Sequence, residues 1–307
     1  MIETADLTRR FGEVTAVEGL DLRIGDGQVF GFLGPNGAGK TTTVRMLCCL
    51  IGSTSGSAYI DGLDIRDRED CLRIRERIGL LPETPGLYES LSAHRNLEFY
   101  AKLHGVSGTE GERRIRDLLR TLGIWDRRED PVAKFSKGMK QKLAIARALI
   151  HDPEYLFLDE PTSGLDPQAS LTVRNYLLDL REEGRTIFLN THNLDDAERL
   201  CDTIGVLNTR LLDLGGPEEL TRKFYGRTTL VHMAEVHEGM VDLVSSLPGV
   251  REVRHQGSRL MIDVVDPEAA NPRIVSELVG AGARVVSVEE VRHGLEDVYL
   301  RLIEGSS

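Results

Sequence analysis

Gly34-Pro35-Asn36-Gly37-Ala38-Gly39-Lys40-Thr41 is the stretch that decides the architecture of this chain. It fits the pattern G-x-x-x-x-G-K-[ST] and has the context that gives the pattern meaning. The apolar run Val29 to Leu33 reads as a strand before it, and Met46 and Leu47 lie on a helix after it. Glycines at these spacings let backbone N–H groups turn inward around an anion, and the helix start adds its positive dipole end. Lys40 is then expected to reach the β- and γ-phosphates of a nucleotide and Thr41 to ligate Mg²⁺, with Asn36, Gly37, Ala38, Gly39 and Thr42 completing the cradle. The bland alternative is a glycine turn that merely caps a helix, and the flanking strand and helix count against it.

A phosphate cradle needs a carboxylate to share the metal. Tyr155-Leu156-Phe157-Leu158-Asp159-Glu160 reads as an apolar strand that delivers two acids at its end. Asp159 is expected to help hold Mg²⁺. Glu160, facing away from its neighbour on an extended chain, is expected to act as general base toward the attacking water. Ser136-Lys137-Gly138-Met139-Lys140-Gln141 opens a strongly helical stretch, a helix start suited to an anion or simply an N-cap.

Around these motifs the chain reads as α/β. Strand-like runs Leu20 to Ile24, Val29 to Leu33, Ile78 to Leu81, Tyr155 to Leu158, Thr186 to Leu189 and Thr203 to Leu207 alternate with helical patterns. Strands disappear from about Ser92 to Leu122, where the spacing is helical, so an insert of about residues 84–150 is expected. After Gly215-Gly216-Pro217 the pattern restarts, with strands at Thr228 to Met233, Val250 to Arg254, Leu260 to Val265 and Arg284 to Val288. Helices are expected at Gly239 to Leu247, Pro272 to Val279 and Leu295 to Ile303. A domain of residues 1–220 and a smaller α/β domain of residues 225–307 follow.

The order of these motifs resembles that of the ATP-binding cassette (ABC) ATPases over about residues 1–220. Ser136 to Met139 is similar to the family's signature motif, Ser163-Gly164-Leu165-Asp166 to its D-loop, and His192 to its switch histidine. Phe11 lies where the family keeps an adenine-stacking aromatic. The signature departs from its usual form at Lys137 and Met139, and Glu83 stands where a metal-sensing glutamine is usual. Both departures resemble the drug-resistance and exporter branch, which carries a small C-terminal domain ending in a sequence like Leu295 to Leu300. The resemblance implies a P-loop NTPase fold with a RecA-like core, an antiparallel β part, a helical insert and a C-terminal domain of ferredoxin-like type. It implies ATP and Mg²⁺ as ligands, with Thr41, Asp159 and Glu83 on the metal, Glu160, His192 and Glu83 in catalysis, and Asp166 in the D-loop. It also implies a homodimer in which Ser136, Lys137, Gly138 and Met139 of one chain meet ATP bound by the other. Separate polytopic permease subunits would be driven, contacted near Pro85, Leu87 and Tyr88. A soluble ABC ATPase acting on a macromolecular partner is the alternative.

Composition agrees with this. The 307 residues, 40% hydrophobic and 28% charged, suffice for two cored domains. A net charge of −11 works against nucleic acid as partner. No apolar stretch approaches the roughly 18 residues of a membrane span, and Met1 to Arg10 lacks the form of a signal peptide, so a cytoplasmic location, peripheral to the membrane through the permease, is expected. Cys48, Cys49, Cys71 and Cys201 show no CxxC spacing and read as small buried hydrophobes.

Overall fold

Residues 1–291 and 294–304 are described by a computed structural model. The chain divides into two units, Met1–Pro217 and Glu218–Ser307. The first begins with β1 (Ile2–Phe11), β2 (Val14–Ile24) and β3 (Val29–Leu33), then α1 (Lys40–Leu47), β4 (Ser55–Ile60), β5 (Leu63–Asp64), α2 (Arg68–Arg77) and β6 (Ile78–Leu81). A helical stretch follows, α3 (Ala93–Leu103), α4 (Gly108–Thr121) and α5 (Lys137–Leu149). The unit continues through β7 (Tyr155–Asp159), α6 (Pro167–Glu182), β8 (Thr186–Asn190), α7 (Leu194–Leu200), β9 (Thr203–Asn208) and β10 (Arg210–Gly215).

Two sheets form. One is antiparallel in the order β2-β1-β4-β5; the other has the order β10-β9-β3-β8-β7-β6, parallel except where β10 pairs with β9. Every residue of β3, β7 and β8 is buried, as expected for central strands covered on both faces, which is why they read as unbroken apolar runs. Phe30, Phe32, Phe157 and Phe188 pack at the centre with ring separations of 5.0–5.5 Å. Each such buried side chain contributes about 1.5–3 kcal/mol. β1, β4, β5 and β10 have no counterpart in the sequence reading; in β1 the two-residue alternation breaks where Leu7 and Thr8 are both buried, at a shift in its pairing with β2.

Helix starts follow local chemistry. Asp67, Ser92, Ser136, Asp166 and Asn193 each accept a backbone N–H from the first turn of α2, α3, α5, α6 and α7. Among the described residues no helix is long and apolar enough to cross a membrane.

Past α8 (Pro217–Tyr225), the second unit runs β11 (Arg227–Met233), α9 (Glu238–Ser245), β12 (Val250–Gln256), β13 (Arg259–Val264), α10 (Pro267–Gly280), β14 (Val285–Val291) and α11 (Leu295–Glu304). Its sheet order, β12-β13-β11-β14 with every neighbouring pair antiparallel, is the ferredoxin-like arrangement. Its own core gathers Val231, Met233, Leu260, Ile262, Ile274 and Leu278. α10 starts five residues earlier than the sequence reading placed it. Asp266 caps it and Pro267 occupies the first turn, so Pro272 lies within the helix.

The cysteines need a partial correction. Cys48 and Cys201 are buried, but Cys49 and Cys71 are only half-buried and their thiols interact with each other. Burial and that neighbouring thiol push Cys49 up to about 12, so it stays protonated.

Candidate functional site

The parallel sheet assembles the site. In such sheets ligands bind beyond the carboxyl ends of the strands. Here β3 leads into the phosphate loop, β6 into Glu83, β7 ends on Asp159 and β8 leads to His192. The register pairs Phe32 with Asn190, Asn190 with Asp159, and Leu158 with Leu81, so segments distant in sequence end side by side. They border a cleft of 640 Å³ lined by Asn36, Gly37, Gly39, Lys40, Thr41 and Thr42 on one wall. Glu83, Asp159, Glu160, Ser163, His192 and Lys137 border it elsewhere.

Gly39 shows why the loop needs glycine. Its φ is +101°, and a Cβ there would lie 2.3 Å from the Ala16 carbonyl oxygen. Lys40 is buried and donates from Nζ to the carbonyls of Gly34 (2.6 Å) and Pro35 (3.1 Å), which holds its ammonium within the loop. Burial lowers its pKa, against the opposing charges of Glu160 and Asp159.

Thr41 donates from Oγ1 to Asp159 Oδ2 at 2.9 Å. Asp159 is buried, and burial raises its pKa, with the charge of Glu83 adding to the rise and hydrogen bonds from Thr41 and Asn190 opposing it. These hard oxygen donors fit Mg²⁺, which is commonly held by one or two carboxylates plus substrate phosphates rather than by an all-protein cage. Among the described residues no group of three or more His, Cys, Asp or Glu is placed to hold a metal ion by itself.

Glu160 departs from expectation. Its φ is +52°, so it does not continue the extended strand; its N–H donates to Asn190 O at 2.9 Å and the chain turns there. That turn, rather than strand alternation, separates Glu160 from Asp159. Its carboxylate, 16% exposed, lies 2.7 Å from His192 Nδ1. An ionised carboxylate only accepts, so the proton belongs on Nδ1.

Other expected residues lie outside the cleft lining. Ala38 is buried beneath the loop. Ser136 accepts from Met139 N–H at 3.2 Å as the cap of α5, and Asp166 accepts from Ala169 N–H at 2.8 Å as the cap of α6. Of the signature residues only Lys137 borders the cleft of its own chain; Ser136, Gly138 and Met139 do not. Phe11 is 47% exposed and also lies outside the lining, with the Arg9 guanidinium 4.4 Å over its ring.

The sequence reading missed several supporting groups. Asn190 is fully buried and donates from Nδ2 to Asp159 Oδ1 at 3.4 Å, while its Oδ1 has no partner among the described residues. Gln141 donates from Nε2 to the Pro161 carbonyl at 3.1 Å, steadying the turn after Glu160. Behind the site, buried Asp196 accepts from Thr162 and Arg174. A polar residue closing an apolar strand was the available signal for Asn190; Gln141 and Asp196 carried none.

Comparison with known proteins extends these observations. Residues 17–163 match the ABC transporter family model, and residues 215–303 match that of the ATP-binding protein DrrA1-3-like, C-terminal domain. The chain is 30% identical to the linearmycin resistance ATP-binding protein LnrL of Bacillus subtilis (strain 168), covering 98% of each chain. It is 34% identical to the bacitracin transport ATP-binding protein BcrA of Bacillus licheniformis, covering 100% of this chain and 98% of the relative. Among solved structures it is similar to an ATP binding subunit of an ABC transporter (TM-score 0.68, 33% identity, 74% of this chain and 94% of that one). It is also similar to a dimeric ATP-binding cassette in a post-hydrolysis state bound to ADP and Pi (TM-score 0.65, 26% identity, 70% and 98%).

Proposed function

The chain belongs to the ABC transporter family of ATP-binding, ATP-hydrolysing subunits, and from that premise we propose that it powers an exporter as one of two identical cassettes beneath separate membrane-spanning subunits. The observation that carries this reading is full-length likeness to resistance and transport ATP-binding proteins, including the region 215–303. The working location is then the cytoplasmic face of the membrane.

In this reading Lys40 and the loop amides hold the β- and γ-phosphates, and adenine stacks on the face of Phe11 not covered by Arg9. Thr41, Asp159 and Glu83 hold Mg²⁺, which when bound offsets the charge of the phosphate oxygens. Glu160 accepts the proton of the attacking water and His192 fixes the carboxylate's direction. The cleft is only half a site. Ser136 and Gly138, absent from its own cleft lining, complete the site of the second chain, so closure around ATP and reopening after hydrolysis become the mechanical stroke.

The docking surface for the membrane subunits is the aromatic cluster next to the turn after Glu83. Tyr88 and Phe99 are 46% and 44% exposed and pack edge to face at 5.2 Å, while Tyr100 donates to the Gly86 carbonyl at 3.0 Å. Purification of the tagged chain from membranes tests the reading. A polytopic membrane protein should co-purify and be lost on replacing Tyr88 and Phe99 with Glu; recovery of a ribosome or DNA complex instead favours the soluble alternative.

A further inference from the structure

Two of the four cysteines are packing groups. Cys48 is fully buried in the core cluster that includes Phe30, Met46 and Phe157. Cys201 lies so close to β3 that a Cβ on Gly31 would fall 2.5 Å from its Sγ. Cys49 and Cys71 differ: both are half-buried, and a thiol–thiol hydrogen bond joins them. Each is aimed by its backbone. α1 closes in a left-handed turn, where Cys49 has φ +55°, its N–H donates to the Met46 carbonyl at 3.0 Å and the Leu50 N–H to that of Arg45 at 2.8 Å. On α2, Cys71 Sγ donates to the Ile65 carbonyl at 3.1 Å, and Arg75 of the next turn donates from Nε to the Cys71 carbonyl at 3.2 Å.

Both cysteines belong to segments that end at the nucleotide cleft. α1, about 12 Å long at 1.5 Å per residue, carries Lys40 and Thr41 in its first turn and is anchored by buried Val44, Met46 and Leu47. α2 runs directly into β6, which leads to Glu83. A covalent tie between Cys49 and Cys71 would therefore bear on both walls of the cleft.

We propose that Cys49 and Cys71 form a reversible disulfide that slows ATP hydrolysis when the surrounding thiol pool is oxidised. The oxidant is a low-molecular-weight disulfide, RSSR. The Cys71 thiolate attacks one of its sulfurs, the S–S bond breaks, Cys71–S–S–R forms, and RS⁻ leaves and takes up a proton. Burial and the facing thiol keep Cys49 protonated, so the first attack falls to Cys71. Once Cys71 carries R, its thiol no longer opposes ionisation of Cys49, whereas the Arg75 guanidinium favours it. Cys49 then gives up its proton, attacks the Cys71 sulfur and expels the second RS⁻. In sum two protein thiols are oxidised and one RSSR is reduced to two RSH. Bond formation draws the sulfurs from hydrogen-bond contact to roughly 2 Å. That pulls the end of α1 against α2 and shifts Lys40 and Thr41 relative to Glu83. The step needs neither a second chain nor a membrane subunit, and pairs that cycle in this way in reducing compartments act as sensors rather than staples.

The test holds the full chain in buffers of rising oxidised-to-reduced glutathione ratio, alkylates the remaining thiols, digests with trypsin and follows ATP hydrolysis in parallel. Peptides Met46–Arg66 and Glu69–Arg73 should become linked. Turnover should fall by about tenfold or more, the effect of an ångström-scale misplacement, and dithiothreitol should reverse both changes. C48A should still form the link, which separates it from a bond between the adjacent Cys48 and Cys49. C49S, lacking the second thiol, should retain glutathione on Cys71, and C71S should keep its turnover in oxidant. Absence of the linked peptides at every ratio, a link that leaves turnover unchanged, or an equal loss of turnover in C71S would each overturn the proposal.

Discussion

Replacing Glu160 with Gln isolates proton abstraction from every other task of the site. The substitution keeps shape and volume, and Gln meets the same backbone cost at φ +52° that Glu already bears. Its amide oxygen can still accept from His192 Nδ1, now 2.7 Å from the carboxylate, so the turn and the histidine should stay in place. In the proposed reading nucleotide is held by Lys40 and the loop, and the Lys40 contacts to the Gly34 and Pro35 carbonyls do not involve Glu160. What is lost is the base, an effect of about 10²–10⁴-fold in turnover, or roughly 2.7–5.4 kcal/mol of barrier at 1.36 kcal/mol per factor of ten. Phosphate release at saturating ATP and Mg²⁺, alongside fluorescent-nucleotide binding and size-exclusion chromatography with ATP, reads each consequence separately. The expected result is near-normal binding, greatly slowed release and an accumulated ATP-bound dimer. Turnover within about threefold of the wild type would refute the base assignment, and lost binding would refute the claim that Glu160 acts only in chemistry.

Two further expectations follow from burial and charge. Asp159→Asn removes the buried carboxylate that accepts from Thr41, so the Mg²⁺ concentration giving half-maximal turnover should rise by about 10-fold or more; an unchanged requirement would place the metal elsewhere. His151 stacks on His104 at 3.9 Å, and burial, with His104 and Arg114 adding to it and Asp152 and the Ile78 carbonyl opposing, lowers it to about 4. Because the folded value lies below the ordinary one near 6.5, stability is present above about pH 6.5 and is lost as pH falls toward about 4, by about 2–3 kcal/mol. Denaturant titrations at pH 7 and pH 4.5 should show a smaller pH difference in His151→Gln than in the wild type, and equal differences would refute it.

The phosphate loop, the acidic end of β7 and the restart after Gly215 were legible because each is a local pattern: glycine spacing, an unbroken apolar run, a change of period. So too was the helix start at Ser136, where a capping side chain bonds within its own turn. Other features depended on which distant strands lie side by side. Asn190 meets Asp159 only through the β7–β8 register, and the same carbonyl that receives Glu160 N–H turns that residue out of the strand. The cover of Gly164 by Lys137 joins segments whose sequences contain no trace of the contact. Sequence by itself determined the chemistry available to this protein, since residue type and local spacing suffice for a phosphate cradle. Tertiary structure alone decided how its groups are aimed, because hydrogen bonds and van der Waals contacts act over a few ångströms and only strand register brings distant segments that close.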